Sequence, residues 1–275
     1  MNFEVINSFS FFLPQLILGS IVCILLSMIG SFLVLRNSSF FGLTLAQVVS
    51  SGVAISLYLG IEGEWFAIIF SLIVISPMIA SNTKSNLHND TLLGILFVFF
   101  ASFSQFLLSM GGNVKNQIMT AYFGDILTNQ VIATDYHYVF LLVSILIFSF
   151  FFKKFLFLSF DREEFKIRQN HLLFYELLFH AIIIIIISVA VHLLGSFYAT
   201  AHLLVPGFVA LKMVRDMRSL LISCALISFI STLIGFTISL IGFEHSGEVI
   251  YFPTSSTIVV VLSLFGLLVH FFKKQ

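Results

Sequence analysis

The sequence predicts an all-α integral membrane protein, a polytopic bundle of about nine transmembrane helices with eight as the alternative. Hydrophobic residues make up 59% of the 275 residues and charged residues only 9%, against roughly 25% charged in a soluble domain. Mean hydropathy is +1.09. So few charges cannot cover a soluble surface, which excludes a soluble enzyme. A formal net charge of +0 and the lack of a long basic run argue against nucleic-acid binding.

The spans can be read directly from the chain, because a membrane-crossing helix needs about 20 mostly apolar residues. Nine segments qualify in order: 13–35, 40–60, 65–81, 91–110, 132–152, 172–194, 196–215, 219–242 and 254–271. The third is the shortest, and the sixth and seventh meet at a tight turn around Gly195. Residues 1–275 therefore form a single transmembrane domain.

The positions of Lys and Arg predict the orientation, because these residues are retained on the cytoplasmic side. With the N-terminus outside and the C-terminus inside, every Lys and Arg except Lys115 falls on the cytoplasmic side. The acidic residues Glu4, Glu62, Glu64, Glu244 and Glu248 fall outside. The opposite orientation would invert this distribution, so we expect an N-out, C-in topology.

Two connections between spans are long. The outer one, 111–131, is amphipathic and is expected to lie at the membrane interface. The inner one, 153–171, contains FDREEFKIRQN, in which Asp161 can cap a short helix and Glu164 stands three residues later. Such a charged helix would either dock into a partner or act as a solvated connector near anionic headgroups.

The second span carries small and polar residues on neighbouring faces. Gly42, Ala46, Ser50 and Ala54 recur every four residues, a spacing that lets helix backbones approach closely in lipid. The polar residues beside them are Thr44, Gln47 and Ser51. Polar side chains at membrane depth either line a polar route or bond across helices, and both readings stay open.

The seventh span contains Pro206, which supplies no N–H to the carbonyl of His202 four residues earlier. One interpretation is that the free carbonyl and the imidazole of His202 contact a passing cation. The alternative is that Pro206 only kinks the helix for packing. On the sixth span, Glu176 and His180 are spaced to form a hydrogen-bonded pair. Asp135 and His137 lie near the outer end of the fifth span, and His192 lies near the outer end of the sixth. We expect structural roles for such scattered histidines.

Several enzyme classes lack their motifs here. The sequence has no HExxH, no CxxC and no tight His/Asp cluster, which argues against a membrane metalloprotease. It also has no GxxxxGK[ST] motif, so ATP would have to be bound by a separate subunit.

Four motifs in register resemble the bacterial ABC-transporter permeases for zinc and manganese. That family's second-span region is similar to the segment MIGSFLVLRNSSFFGLTLAQVVSSGVAISLYLG. Its outer-loop motif is similar to FGDIL at 123–127, and its F-D before the cytoplasmic helix is similar to Phe160–Asp161. GSFYATAHLLVPGFVALKMVRD resembles its later proline-containing element. The family's D-A-x-S-H is replaced by Leu43 to Gln47, so its acid and histidine are missing here, and His202 stands in place of an aliphatic residue.

The resemblance implies a homodimeric permease in the lipid bilayer of the bacterial inner membrane. It also implies two cytoplasmic ABC ATPase subunits and an extracytoplasmic metal-binding protein as partners. The loop 153–171 would be the coupling element, with its contacts made by Asp161, Arg162, Glu163, Glu164, Lys166 and Arg168. The translocation path would include Thr44, Gln47, Ser51, His202 and Pro206, with His202 as a metal contact.

The function expected from these residues is the permease subunit of an ATP-binding-cassette importer for divalent metal ions, with zinc first because imidazole suits zinc. Manganese, iron or another small solute is the alternative cargo. An ATP-independent secondary transporter is the alternative outside this class. The chain itself is expected to be no enzyme and to bind no cofactor, with Zn(II) as the transported ion.

Overall fold

The computed structural model describes residues 12–61, 64–82, 89–110, 135–168, 171–241, 243–245, 248–250 and 252–272. These residues form ten helices and one two-stranded hairpin. The helices are α1 Leu13–Leu35, α2 Ser39–Leu59, α3 Trp65–Asn82, α4 Asn89–Ser109, α5 Asp135–Phe160, α6 Arg162–Arg168, α7 Leu172–Leu194, α8 Ser196–Met213, α9 Met217–Leu240 and α10 Thr254–Phe272. The strands β1 Phe243–His245 and β2 Glu248–Ile250 pair antiparallel between α9 and α10.

The all-helical bundle is confirmed, with the short hairpin as an addition that the sequence did not predict. Every predicted span coincides with a long helix, and α1, α2, α5, α7, α9 and α10 are long and apolar enough to cross a membrane. The apolar parts of α3 and α4 are shorter, and α8 contains His202 and Lys212. Nine crossings and the N-out, C-in orientation stay predictions.

The six consecutive isoleucines from Ile182 to Ile187 form the centre of α7. In water such a β-branched run would favour a strand. Inside a bilayer, each backbone N–H and C=O must be satisfied within its own segment, which makes the helix the stable choice. The helix is also surrounded by protein, since 72% of its apolar window is buried, as in α2, against 22% in α5 and α10.

Glycine is required at two places, one a close helix contact and the other a turn. The Leu203 carbonyl oxygen of α8 lies 1.7 Å from the position that a Cβ on Gly30 of α1 would occupy, so the two backbones touch there. Gly195 joins α7 to α8 with φ 94° and ψ 157°, a conformation that other residues rarely adopt. This confirms the predicted tight turn. The small-residue stripe from Gly42 to Ala54 is buried throughout, as expected of a packing surface.

The junction after α5 differs from the predicted boundary. The fifth span was expected to end near residue 152, but α5 continues through Lys153 and Lys154 to Phe160. The connection to α7 is therefore 161–171, which includes α6. The predicted outer loop 111–131, with the FGDIL motif, lies outside the described residues.

Candidate functional site

The short helix α6 begins as the sequence predicted. The Asp161 side chain accepts a hydrogen bond from the backbone N–H of Glu164, 2.8 Å from Oδ1, which satisfies one of the unpaired donors of the first helical turn. The ring of Phe165 is fully buried, with its centroid 5.4 Å from those of Phe157 and Tyr175. The cap and this anchor hold α6 against the ends of α5 and α7.

The carboxylate of Glu176 connects α6 to the turn between α1 and α2. Arg36, directly after α1, donates from Nη1 to Oε2 at 3.0 Å, and Arg162 of α6 donates from Nε to Oε1 at 3.1 Å. Each oxygen thus receives a charged donor, and hydrogen bonds between ionised groups are among the strongest in proteins. The side chains of Glu176 and Arg36 are only 7% and 11% exposed.

Arg36 is held by further contacts. Its Nε donates to the Ser159 hydroxyl at 2.8 Å, and its guanidinium carbon lies 4.1 Å from the centroid of the Phe179 ring. Arg36, Arg162 and Glu176 line a cavity of about 400 Å³ that also reaches Asn37 and His180. The cavity carries two positive groups and one negative group on its wall.

The predicted pair between Glu176 and His180 forms through the backbone instead of the carboxylate. Nδ1 of His180 lies 2.7 Å from the Glu176 carbonyl oxygen but 3.9 Å from its carboxylate. The two arginines occupy the carboxylate because charged donors outcompete an imidazole that sits one helical turn away.

The outward side of α6 is open. Ile167 is 81% exposed, and Glu163, Lys166 and Arg168 are exposed around it. Arg168 and Glu164 form an ion pair of 2.5 Å along the helix. Protein contact surfaces combine an apolar centre with a polar rim, and α6 presents one apolar side chain among charged ones.

The hydroxyls of Thr44 and Ser51 bond across the contact between α2 and α4. Thr44 donates to the Leu93 carbonyl at 3.2 Å, and Ser51 to the Phe100 carbonyl at 2.8 Å, with the Ser104 hydroxyl also 2.8 Å from Ser51. Both side chains are fully buried. These contacts match the cross-helix alternative of the sequence analysis and hold α2 against α4.

His202 lies at a different place, between α8, α9 and α1. Its Nδ1 is 2.6 Å from the Ser228 hydroxyl, which itself donates to the Cys23 carbonyl at 3.0 Å. The imidazole of His202 is therefore joined to α1 through the Ser228 hydroxyl. Within the described residues, the buried Nε2 of His202 has no hydrogen-bond partner.

The five residues predicted for the path therefore do not share one lining within the described part of a single chain. Thr44 and Ser51 face α4, His202 faces α9, and Pro206 is buried inside α8. Gln47 is half-buried. Their role in translocation stays a prediction.

A tight cluster of metal-ligating residues lies at the end of the bundle opposite to α6, contrary to the expectation from the sequence. Glu64, His137 and His192 bring one ligand atom each within 4.8 Å of one another. Nε2 of His137 lies 2.6 Å from Glu64 Oε1, and both side chains are fully buried. The ring centroids of His137 and His192 are 5.9 Å apart.

This cluster joins residues from three separate helix ends. Glu64 immediately precedes α3, His137 lies in the first turn of α5, and His192 lies in the last turn of α7. Helix α7 packs against both α3 and α5. The predicted topology put all three residues on the outer side, but it carried no information about which helix ends are neighbours.

Comparison with known proteins decides the family. The model of the ABC 3 transport family matches residues 8–273, nearly the whole chain. The chain belongs to the ABC 3 transport family.

Relatives in this family carry the names of metal transport proteins. The chain is 22% identical over 269 residues to the high-affinity zinc uptake system membrane protein ZnuB of Haemophilus influenzae, covering 97% of this chain and 99% of the relative. It is 26% identical over 247 residues to the manganese transport system membrane protein MntC of Listeria monocytogenes, covering 89% and 87%. The family member described here is therefore a divergent one.

Solved structures share the fold. PsaBC from Streptococcus pneumoniae, in complex with Fab, aligns with a TM-score of 0.78 at 24% identity, covering 99% of this chain and 96% of that chain. An inward-facing conformation of a putative metal-chelate type ABC transporter aligns with a TM-score of 0.73 at 17% identity, covering 98% and 90%.

Proposed function

We propose that this chain is the membrane-spanning subunit of an ATP-driven importer for divalent metal ions, with zinc as its cargo. Family membership supports the transport role, and relatives named for zinc and manganese transport support a metal cargo. In this proposal the chain lies in the bacterial inner membrane with its N-terminus outside. It works as a homodimer with two cytoplasmic ATPase subunits and an extracytoplasmic metal-binding protein.

The observation that carries the proposal is the bridge that Glu176 makes between Arg36 and Arg162. Arg162 belongs to α6 and Arg36 to the turn that leads into α2. Because both hydrogen bonds end on one buried carboxylate, a displacement of α6 would move the α1–α2 turn with it. This linkage is what an ATP-driven permease needs between its ATPase contact and its spanning helices.

The contact for the ATPase is the exposed side of α6. Ile167 would enter an apolar pocket of the partner, while Glu163, Lys166 and Arg168 would meet charges around it. Asp161 and Glu164 shape the helix rather than touch the partner, since one caps it and the other pairs with Arg168. Arg162 transmits the displacement to Glu176.

Zinc is favoured over manganese by the ligand chemistry of the interior. The Nε2 atom of His202 is buried and has no hydrogen-bond partner among the described residues, and imidazole nitrogen suits zinc better than manganese. Gln47 stands where the resembling permeases have histidine and would bind the ion weakly. Weak contacts are suitable for a route along which the ion must also be released. Manganese is the second candidate, because relatives named for its transport align with this chain.

Uptake of radioactive zinc tests the proposal in cells lacking this gene and its neighbouring transport genes. The cells are complemented with the wild-type chain together with its ATPase, or with an ATPase whose P-loop lysine is replaced. We expect zinc uptake with the active ATPase only. Uptake that persists with the inactive ATPase would indicate a secondary transporter, and selective uptake of manganese would overturn the zinc cargo.

Docking of the ATPase is tested by co-purification with an Ile167→Asp variant. Ile167 is so exposed that the change does not disturb the core of this chain, and we expect the ATPase to be lost. The matched control is Ile241→Asp, the same change at a residue that directly follows the C-terminal end of α9 and is 57% exposed. Retention of the ATPase by both variants would contradict docking on α6.

A further inference from the structure

Glu64, His137 and His192 form a compact group of donors that the proposed transport path does not use. Their ligand atoms lie within 4.8 Å of one another, and the Glu64 carboxylate and His137 ring are fully buried. His192 is half-buried. The path residues Thr44, Ser51 and His202 contact other helices, so this group is a separate feature of the bundle.

Two imidazole nitrogens and one carboxylate oxygen are a ligand set that zinc uses in proteins, with the fourth position left for water or an exchanging ligand. Zinc bonds to these atoms are about 2.0–2.2 Å long, so tetrahedral ligands stand about 3.4 Å apart. The present separations, 2.6 Å between Glu64 and His137 and up to 4.8 Å within the group, bracket that value. Small side-chain rotations would therefore be enough to enclose an ion.

We propose that Glu64, His137 and His192 form a binding site for a zinc ion where α3 and α5 begin and α7 ends. Zinc binds such nitrogen and oxygen donors more tightly than manganese does. The site's placement on the outer face of the membrane rests on the proposed orientation, whereas metal binding itself does not. On that face, the half-buried His192 would meet an arriving ion first.

The competing arrangement is a buried contact between the Glu64 carboxylate and the His137 ring that only fastens α3 to α5. The two arrangements differ in the role of His192. A metal site needs the His192 imidazole as a ligand, whereas a contact between Glu64 and His137 alone does not.

The test measures zinc bound to the purified full-length chain, in complex with its ATPase if the two purify together. The protein is dialysed against Zn(II) alone, and bound zinc is counted by mass spectrometry across a concentration series. We expect His192→Gln to weaken binding at this site by at least about tenfold, and Glu64→Gln to do the same. His270→Gln is the matched control, because His270 is a histidine at the far end of α10 that contacts Lys212. It should leave this binding unchanged.

A spectroscopic measurement identifies the ligands independently of the variants. X-ray absorption of the zinc-loaded wild-type protein should show about two imidazoles per zinc at this site, and the signal should fall in His192→Gln. Addition of zinc should also raise the melting temperature of the wild type but not of the variants, since a ligand stabilises the state that binds it. Monodisperse elution of each variant establishes that it is folded.

Equal zinc binding by wild type and His192→Gln, or a zinc signal without imidazole, would overturn the site. Its failure is distinguishable from a failure of the proposed function, because uptake is measured separately. Zinc uptake that survives loss of the site would leave the transport proposal intact. Zinc binding at the site without any ATP-driven uptake would retain the site and remove the transport proposal.

Discussion

Arg36 and Glu176, which are far apart in the sequence, form a buried ion pair of 3.0 Å between the α1–α2 turn and α7. The second oxygen of the same carboxylate binds Arg162 of α6. A buried pair is not by itself a source of stability, because the cost of removing two charges from water offsets their attraction. Its effect is geometric, since a movement of Arg36 away from Glu176 would leave the Arg36 guanidinium, which is only 11% exposed, without its counter-charge.

Replacing Glu176 with Gln should therefore be severe. The neutral amide leaves the buried Arg36 guanidinium without its counter-charge, and breaking such a pair costs about 3–5 kcal/mol. We expect a lower melting temperature and a loss of metal uptake. Thermal unfolding of the purified protein checks the first, and uptake normalised to the amount of protein in the membrane checks the second. Glu163→Gln, an exposed glutamate on α6, is the control and should melt like wild type.

A second prediction concerns the close contact between α1 and α8. Gly30→Ala places a methyl group 1.7 Å from the Leu203 carbonyl oxygen, so the two helices must separate. We expect a large loss of folded protein, measured as the monodisperse fraction after extraction and by melting temperature. Gly94→Ala is the matched control, because the nearest heavy atom to its new Cβ is Phe40 Cε1 at 3.9 Å. That variant should be at least as stable as wild type, since Ala favours helix over Gly.

A third prediction concerns Asp216, which caps α9 outside the membrane-spanning segments. Its carboxylate accepts the Ser219 N–H at 2.9 Å, and this hydrogen bond lowers the pKa of Asp216 from its ordinary value of 3.8. A lowered pKa contributes stability above 3.8 that is lost as pH falls through the folded-state value. Asp216→Ala should therefore melt below wild type at pH 7, and this difference should shrink as the pH falls below about 3.8.

Asp216→Asn separates the hydrogen bond from the charge. Asparagine also caps helices well, so this variant should melt close to wild type at pH 7. A gap between wild type and Asp216→Ala that stays constant from pH 7 to pH 3 would show that ionisation of Asp216 contributes nothing.

Local signals in the sequence predicted much of this fold. Hydropathy located the long helices, Gly195 marked a turn that needs a positive φ, and Asp161 followed by Glu164 marked the start of α6. Each of these features depends on a few adjacent residues. The end of α5 was missed because Lys153 and Lys154 resemble the edge of the membrane, whereas long lysine side chains can extend from a continuing helix to water.

The clusters of charged residues could not be predicted in the same way. Glu176 has His180 one turn away, but its carboxylate binds Arg36 and Arg162, which come from other elements. Glu64, His137 and His192 meet because the starts of α3 and α5 touch each other and α7 packs against both helices. Hydropathy and charge place a residue at a membrane depth, but they do not specify the order of helices around the bundle.

The last prediction separates a packing role of His202 from a metal contact. His202→Leu keeps the volume of the side chain close to the original and removes the imidazole, while Ser228 retains its hydrogen bond to the Cys23 carbonyl. If Nε2 is a transient ligand, zinc uptake should fall at least about tenfold, as expected for loss of a ligand group, with little change in melting temperature. Ser228→Ala is the matched variant, because it removes the hydrogen-bond partner of His202 but retains the imidazole. It should transport zinc better than His202→Leu, and unchanged uptake by His202→Leu would assign His202 to packing alone.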